Sequence, residues 1–323
     1  MKIFATFLVA SLLAVGNINA QDTDYSFKEK YRMSLPAQLN VSSSDGNIKI
    51  VPSTDDQIEV FYIVKRNNNL LKINRAELEK ELTLTVEHNG NTLAIAVKYR
   101  EGYFKNNWNN QMSVNFEIHA PNQTATDLHT SDGHITVFGL TGEQRYKTSD
   151  GNIRVSAITG NVTGRTSDGH FEMENIKGSV DIATSDGNIK LNNITGDVRS
   201  STSDGNIDIA RVSGNTWTKT SDGYITFTEI SGSFSGSTSD GNIRGNLLQL
   251  KKELFASTGD GNIDITIPGK LGLDLDVRGE SLHIPLDNFS GRSDEKSIQG
   301  KTNGGGIPVK LSTSDGNIRL TYQ

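Results

Sequence analysis

Residues 148–201 read TSDGNIRVSAITGNVTGR, TSDGHFEMENIKGSVDIA and TSDGNIKLNNITGDVRSS, one eighteen-residue phrase written three times without a gap. The phrase also opens at Thr130, Thr202, Thr220 and Thr238, and thirteen glycines from Gly133 to Gly241 keep an unbroken spacing of nine residues. They alternate between an S-D-G-[NHY]-[IF] box and an [IVL]-x-G box, so the true period is eighteen. A repeat of this length buries its apolar side only by stacking on its neighbours, which predicts an all-β parallel β-solenoid with eighteen-residue turns.

The apolar columns carry the same prediction. Ile135, Ile153, Phe171, Ile189, Ile207, Ile225 and Ile243 follow the box glycine, and Val137, Val155, Met173, Leu191, Ile209 and Phe227 come two residues later. A period of two marks a strand with one face inward. A third column, Leu140 to Ile230, precedes the second glycine, and Val162, Val180, Val198 and Phe234 follow it. Each turn is expected to hold two short strands and two glycine-assisted bends. Between the first two columns the outward residues run Arg154, Glu172, Lys190, Asp208, alternating in sign as in-register parallel strands favour, and Asp181 and Arg199 repeat the pattern.

The flanks are less regular. Residues 1–20, with Lys2, an apolar run from Ile3 to Val15 and a small-residue end at Ala20, read as a secretory signal peptide. The rest divides into residues 21–129 (irregular strands and a cap), 130–250 (the regular repeats) and 251–323 (irregular turns and a second cap), all in one continuous domain. Isolated boxes lie at 44–48, 259–263 and 314–318; one short helix is expected from Asn74 to Leu82, with a capping box of Asn74 and Glu77. Strand-like runs stand at 58–64, 82–86, 93–98 and 112–118, and Gly102–Gln111 reads as an exposed loop.

With 34% hydrophobic and 7% aromatic residues the chain is lean for a round globule but sufficient for a narrow stacked core. It has no cysteine, so neither disulfides nor a lipid-modified N-terminal Cys enter. A net charge of −6 without a basic stripe argues against nucleic acid, and past the leader no apolar run is long enough for an integral membrane span.

The aspartate column Asp132, Asp150, Asp168, Asp186, Asp204, Asp222 and Asp240 is the most conspicuous polar feature. Carboxylates at strand spacing repel by about 0.9 kcal/mol per neighbour even in a water-like dielectric. One reading has each Asp accept backbone N–H groups of its own bend while Gly takes a positive φ. Another has calcium shared between turns, although the G-G-x-G-x-D pattern of calcium-bound β-rolls is missing. Asn152, Asn188, Asn206 and Asn242 give way to His134, His170 and Tyr224 in other turns, which suggests a solvent-facing ladder; the two histidines, about 9.6 Å apart, are too distant to share a metal. The Thr column from Thr130 to Thr238 points inward by strand alternation, against an ice-binding array. Trp217, in an outward position, is open to stacking on a sugar or protein. Nucleophile elbows, zinc spacings and phosphate loops are absent from the sequence, so no catalytic, cofactor-binding or metal-binding residue is assigned and an enzyme is not expected.

SVNFEIHAPNQTATDLHTSDGHIT (113–136), the running T-S-D-G-x-I boxes and the ending GGGIPVKLSTSDGNIRL together resemble a bacterial family of candidate adhesins. These are exported β-solenoid domains of largely unknown function, related to the head-domain adhesins of autotransporter type. The resemblance covers about residues 37–323 and supplies no catalytic residues. It implies a uniform β-solenoid, placed in the periplasm, on the outer surface or outside the cell, that contacts a surface glycan or protein. The expected function is therefore a non-enzymatic adhesin or envelope interaction scaffold. A polysaccharide-active β-helix enzyme, with its site in the irregular ends, and a calcium-stiffened spacer are the alternatives.

Overall fold

The computed structural model describes residues 24–100 and 111–323. The expected leader at 1–20 and residues 102–110 of the expected loop lie outside the described residues. The described residues are all-β, with one four-residue helix among them, and their strands join one sheet. Among the described residues no helix is long and apolar enough to cross a membrane.

In the repeat region Ile153–Thr159 pairs in parallel with Phe171–Lys177, then Ile189–Thr195, then Ile207–Ser213. Ile153 lies opposite Phe171, Phe171 opposite Ile189 and Ile189 opposite Ile207, so equivalent residues of successive repeats are partners. Val162–Arg165, Val180–Ala183, Val198–Ser201 and Thr216–Lys219 form a second parallel ladder with the same offset. The apolar columns are the core: Ile153, Phe171, Ile189, Ile207, Ile225 and Ile243 are all at most 1% exposed. β-Branched side chains fill such positions well because they pack against their copies above and below on the pleated surface.

The isolated boxes join the same column. Ile48 pairs with Ile135, Ile243 with Ile263 and Ile263 with Ile318, all in parallel. Ten box glycines therefore stand in one file: Gly46, Gly133, the six from Gly151 to Gly241, Gly261 and Gly316. At 4.8 Å per step the nine steps span about 43 Å. Chain that interrupts this order folds back at the two ends. Gln57–Arg66 runs antiparallel to Met112–Pro121 and to Phe27–Arg32, and Leu82–Asn89 forms a hairpin with Thr92–Tyr99. At the other end Ser297–Thr302 lies antiparallel to Leu273–Arg278 and to Ser290–Ser293. At the N-terminal end antiparallel strands cover both ladders, whereas at the C-terminal end Ser297–Thr302 covers one and the other closes on the three-residue strand Ser281–His283, parallel to Asn317–Tyr322. Covered or very short edges limit edge-to-edge association.

The helix is shorter than expected, Arg75–Leu78, because Leu82 already begins a strand. Its capping box is complete: Glu77 N–H donates to Asn74 Oδ1 at 3.0 Å and Asn74 N–H donates to Glu77 Oε2 at 3.0 Å. Arg75 ties the helix to the strands by an ion pair with Glu29 at 3.2 Å, and Glu29 also accepts from the Tyr31 and Tyr62 hydroxyls.

The expectation of two glycine bends per repeat is corrected in two ways. First, a third bend needs no glycine: Ala157, Asn175, Asn193, Arg211 and Glu229 take the left-handed conformation with φ between 55° and 58°. Around it the alternation slips, since Val155 and Ile158, three residues apart, are both buried. Second, the box glycines are there for space. A Cβ at Gly169 would lie 1.9 Å from the Gly151 carbonyl oxygen, and the same contact repeats along the file. Only the other glycine column contains positive φ values, as at Gly160 with 145°.

Inside the core, bulk is matched between columns. Phe171 occupies a position held by Ile in neighbouring repeats, and Gly164 makes room for it: a Cβ there would come within 2.5 Å of the ring. Phe227 and Phe234 stack with centroids 3.8 Å apart, and Gly236 leaves the space that Phe234 fills.

Candidate functional site

The T-S-D-G corner is built by the threonine. Thr184, 8% exposed, donates its hydroxyl to Ser167 O at 2.9 Å and Gly169 O at 3.0 Å, both in the preceding repeat. The same oxygen accepts Gly187 N–H at 3.2 Å. Ser167 O also accepts Ser185 N–H and Asp186 N–H, so one carbonyl gathers three donors from the next repeat. Thr148, Thr166, Thr202, Thr220 and Thr238 repeat the arrangement. The reading in which Asp organises the bend is thereby corrected, because the hydroxyl is the group that reaches inward. The Asp132 to Asp240 carboxylates are exposed, where water screens their repulsion. At the N-terminal end shielding is greater. Desolvation, with Asp45 and Asp150 adding to it, raises the Asp132 carboxyl above its ordinary range, and half-buried Asp45 accepts the Tyr99 hydroxyl at 2.5 Å. Burial and that bond together raise the Tyr99 hydroxyl. Among the described residues no group of three or more His, Asp or Glu side chains is gathered to hold a metal ion.

The Asn column is exposed, as the sequence suggests, and it is also a hydrogen-bond ladder. Each backbone N–H after the box glycine donates to the side chain one repeat earlier: His170 N–H to Asn152 Oδ1, Asn206 N–H to Asn188 Oδ1 and Tyr224 N–H to Asn206 Oδ1. Histidine substitutes because its Nδ1 lies where the amide oxygen would; His134 Nδ1 accepts Asn152 N–H at 2.9 Å and His170 Nδ1 accepts Asn188 N–H at 2.8 Å. The run continues to Asn115 and Asn47 at one end and through Asn242 and Asn262 to Asn317 at the other. It breaks once. The Tyr224 side chain offers no acceptor at that place, and Asn242 N–H has no partner among the described residues.

Around that break lies a shallow groove of about 610 Å³. Tyr224, 55% exposed, forms one end, and Arg244, Asp264 and Arg319 stand beside it in successive register positions. Arg244 pairs with Asp264 at 3.2 Å, whereas Arg319 has no ion pair among the described residues. The groove thus holds an aromatic face, a backbone donor and a guanidinium without partners among the described residues, and carboxamides, all beside one parallel ladder. Nothing in the repeat pattern marked it, although Tyr224 replacing Asn or His was visible.

A second groove, about 430 Å³, lies near the N-terminal end. Here Asp127 Oδ1 lies 2.8 Å from His129 Nε2, with Ser42 in register beside His129 and Glu87 across the groove. Trp217 is less available than its outward position suggests, since Arg199 lies over its ring at 4.2 Å. Of the predicted charge pairs, Arg154 and Glu172 meet at 2.7 Å, while Asp181 pairs with Arg165 rather than with Arg199.

The solved structures similar to this chain include a candidate cell adhesion protein from Clostridium sporogenes, 12% identical, with a TM-score of 0.20, covering 92% of this chain and 99% of its own. A candidate adhesin from Bacteroides fragilis is also 12% identical, with a TM-score of 0.28, over 91% of this chain and 96% of its own. No curated protein matches the chain. The Toastrack DUF4097 family matches residues 37–228 and 215–321, nearly all of the described chain. The chain belongs to the Toastrack DUF4097 family.

Proposed function

We propose that the chain is an exported, non-enzymatic interaction protein of adhesin type, in which the repeats of residues 130–250 wind as a parallel β-solenoid with eighteen-residue turns and present ordered rows of side chains to other surface molecules. The observation that carries this reading is the file of ten box glycines, which holds outward side chains in register over about 43 Å. A surface held in register by hydrogen bonds between successive repeats has less conformational entropy to lose on contact than a flexible one. The leader-like residues 1–20 support export, to the periplasm or the outer surface.

The test is cell fractionation with protease added to intact cells, paired with binding of the purified protein to isolated envelope material. Association with an envelope or extracellular fraction and saturable binding are expected. A cytoplasmic protein, or turnover of a polysaccharide by the purified chain, would overturn the reading. The Asp127–His129 pair beside Ser42 is the observation that favours a hydrolytic alternative, and loss of such turnover in His129→Ala would establish it.

A further inference from the structure

We infer that the groove at Tyr224 is a binding site for an acidic oligosaccharide, a glycan bearing uronate carboxylates; the inference rests on the interaction-protein reading above and names the ligand class. Four features of the groove converge on that chemistry.

The first is the interrupted ladder. Along the column each exposed backbone N–H at this position is taken by the side chain of the preceding repeat, yet Asn242 N–H is left without a partner beside an aromatic ring. A donor so placed is available to a ligand hydroxyl or carboxylate without breaking any bond of the fold. The second is Tyr224 itself, which exposes 55% of its surface just before the strand that begins at Ile225, where other repeats carry Asn or His. An aromatic face packs against the C–H side of a pyranose while its hydroxyl stays in water. The third is charge. Arg244 is already held by Asp264 at 3.2 Å, while Arg319, at the next position in register, has no ion pair among the described residues. A guanidinium fork takes a carboxylate by two parallel hydrogen bonds, which a neutral sugar cannot match. The fourth is length. From Tyr224 to Asn317 the column takes three strand steps, about 14 Å, room for a short oligosaccharide laid along it.

The test uses the full mature chain and tri-galacturonate, with cellotriose as the neutral control. In ¹⁵N-edited spectra tri-galacturonate is expected to shift the Asn242 amide, and calorimetry is expected to give an affinity at least ~10-fold above that of cellotriose. Tyr224→Asn supplies the missing ladder acceptor and so keeps the fold while removing the ring and engaging the Asn242 N–H. It is expected to weaken binding ~10-fold or more, and Arg319→Gln to remove most of the preference for the acidic sugar. Absence of tri-galacturonate binding, equal affinity for cellotriose, or binding unchanged in both variants would overturn the inference. Saturable envelope binding that survives both variants would leave the interaction reading standing and move its site elsewhere.

Discussion

Replacing Thr184 by valine separates the two accounts of the repeat corner. Valine keeps the β-branched shape and removes only the hydroxyl. The buried Gly187 N–H, which donates to Thr184 Oγ1 at 3.2 Å, then loses its acceptor, and Gly169 O loses its donor at 3.0 Å. Ser167 O keeps Ser185 N–H and Asp186 N–H and remains satisfied. A buried donor without a partner costs about 1–3 kcal/mol, and the lost bond to Gly169 O brings the expected destabilisation to about 2–4 kcal/mol. Asp186→Asn removes an exposed charge between Asp168 and Asp204 and is expected to be neutral or stabilising by up to about 0.5 kcal/mol. Urea unfolding followed by circular dichroism measures both, with the slopes compared because stacked repeats can lose cooperativity. If Thr184→Val lies within about 0.5 kcal/mol of the parent while Asp186→Asn costs more than about 1 kcal/mol, the carboxylate builds the corner and the reasoning fails.

Three further outcomes follow from the geometry. His170→Asn should leave stability unchanged, since an amide oxygen replaces Nδ1 as acceptor for Asn188 N–H, while His170→Ala should cost about 0.5–1.5 kcal/mol in the same unfolding assay. Gly164→Ala should cost about 1–3 kcal/mol by pressing on the Phe171 ring, and Phe171→Ile should cost less in the Gly164→Ala background than alone; additive effects would contradict the contact. Because the Asp132 carboxyl is raised in the fold, its protonated form is the favoured one, and the stability this gives is present below the unfolded carboxyl range near 4 and lost as pH rises through the folded value. Asp132→Asn should therefore exceed the parent in urea midpoint at pH 7 and match it at pH 3; a parent that is the more stable at pH 7 would reverse the sign.

Much of the architecture could be read from residue spacing, because columns such as Ile153, Phe171 and Ile189 repeat a physical requirement at every turn. The parallel pairing of Arg154 with Glu172 and of Lys190 with Asp208 was legible for the same reason. What was not legible depends on backbone and on contacts far apart in sequence. The left-handed bend at Ala157, Asn175, Asn193, Arg211 and Glu229 has no residue signature, since only Asn is at ease there. Gly46 joins Gly133 across 87 residues, a pairing that no local pattern announces. The repeat corner differs from the sequence expectation for a simpler reason. Thr, Ser and Asp recur together, and only burial decides which side chain faces the backbone. The groove has no sequence signature because it depends on a missing bond, the one that the equivalent backbone N–H makes in the other repeats and Asn242 N–H does not.

The file of boxes from Gly46 to Gly316 is tested most directly by a distance along it. The chain has no cysteine, so Lys49→Cys with Arg319→Cys gives two clean spin-label sites at register positions nine strand steps apart. Pulsed electron–electron resonance should give a narrow distribution centred at about 43 Å. A broad distribution, or a centre below about 30 Å, would mean that the boxes do not stand in one column.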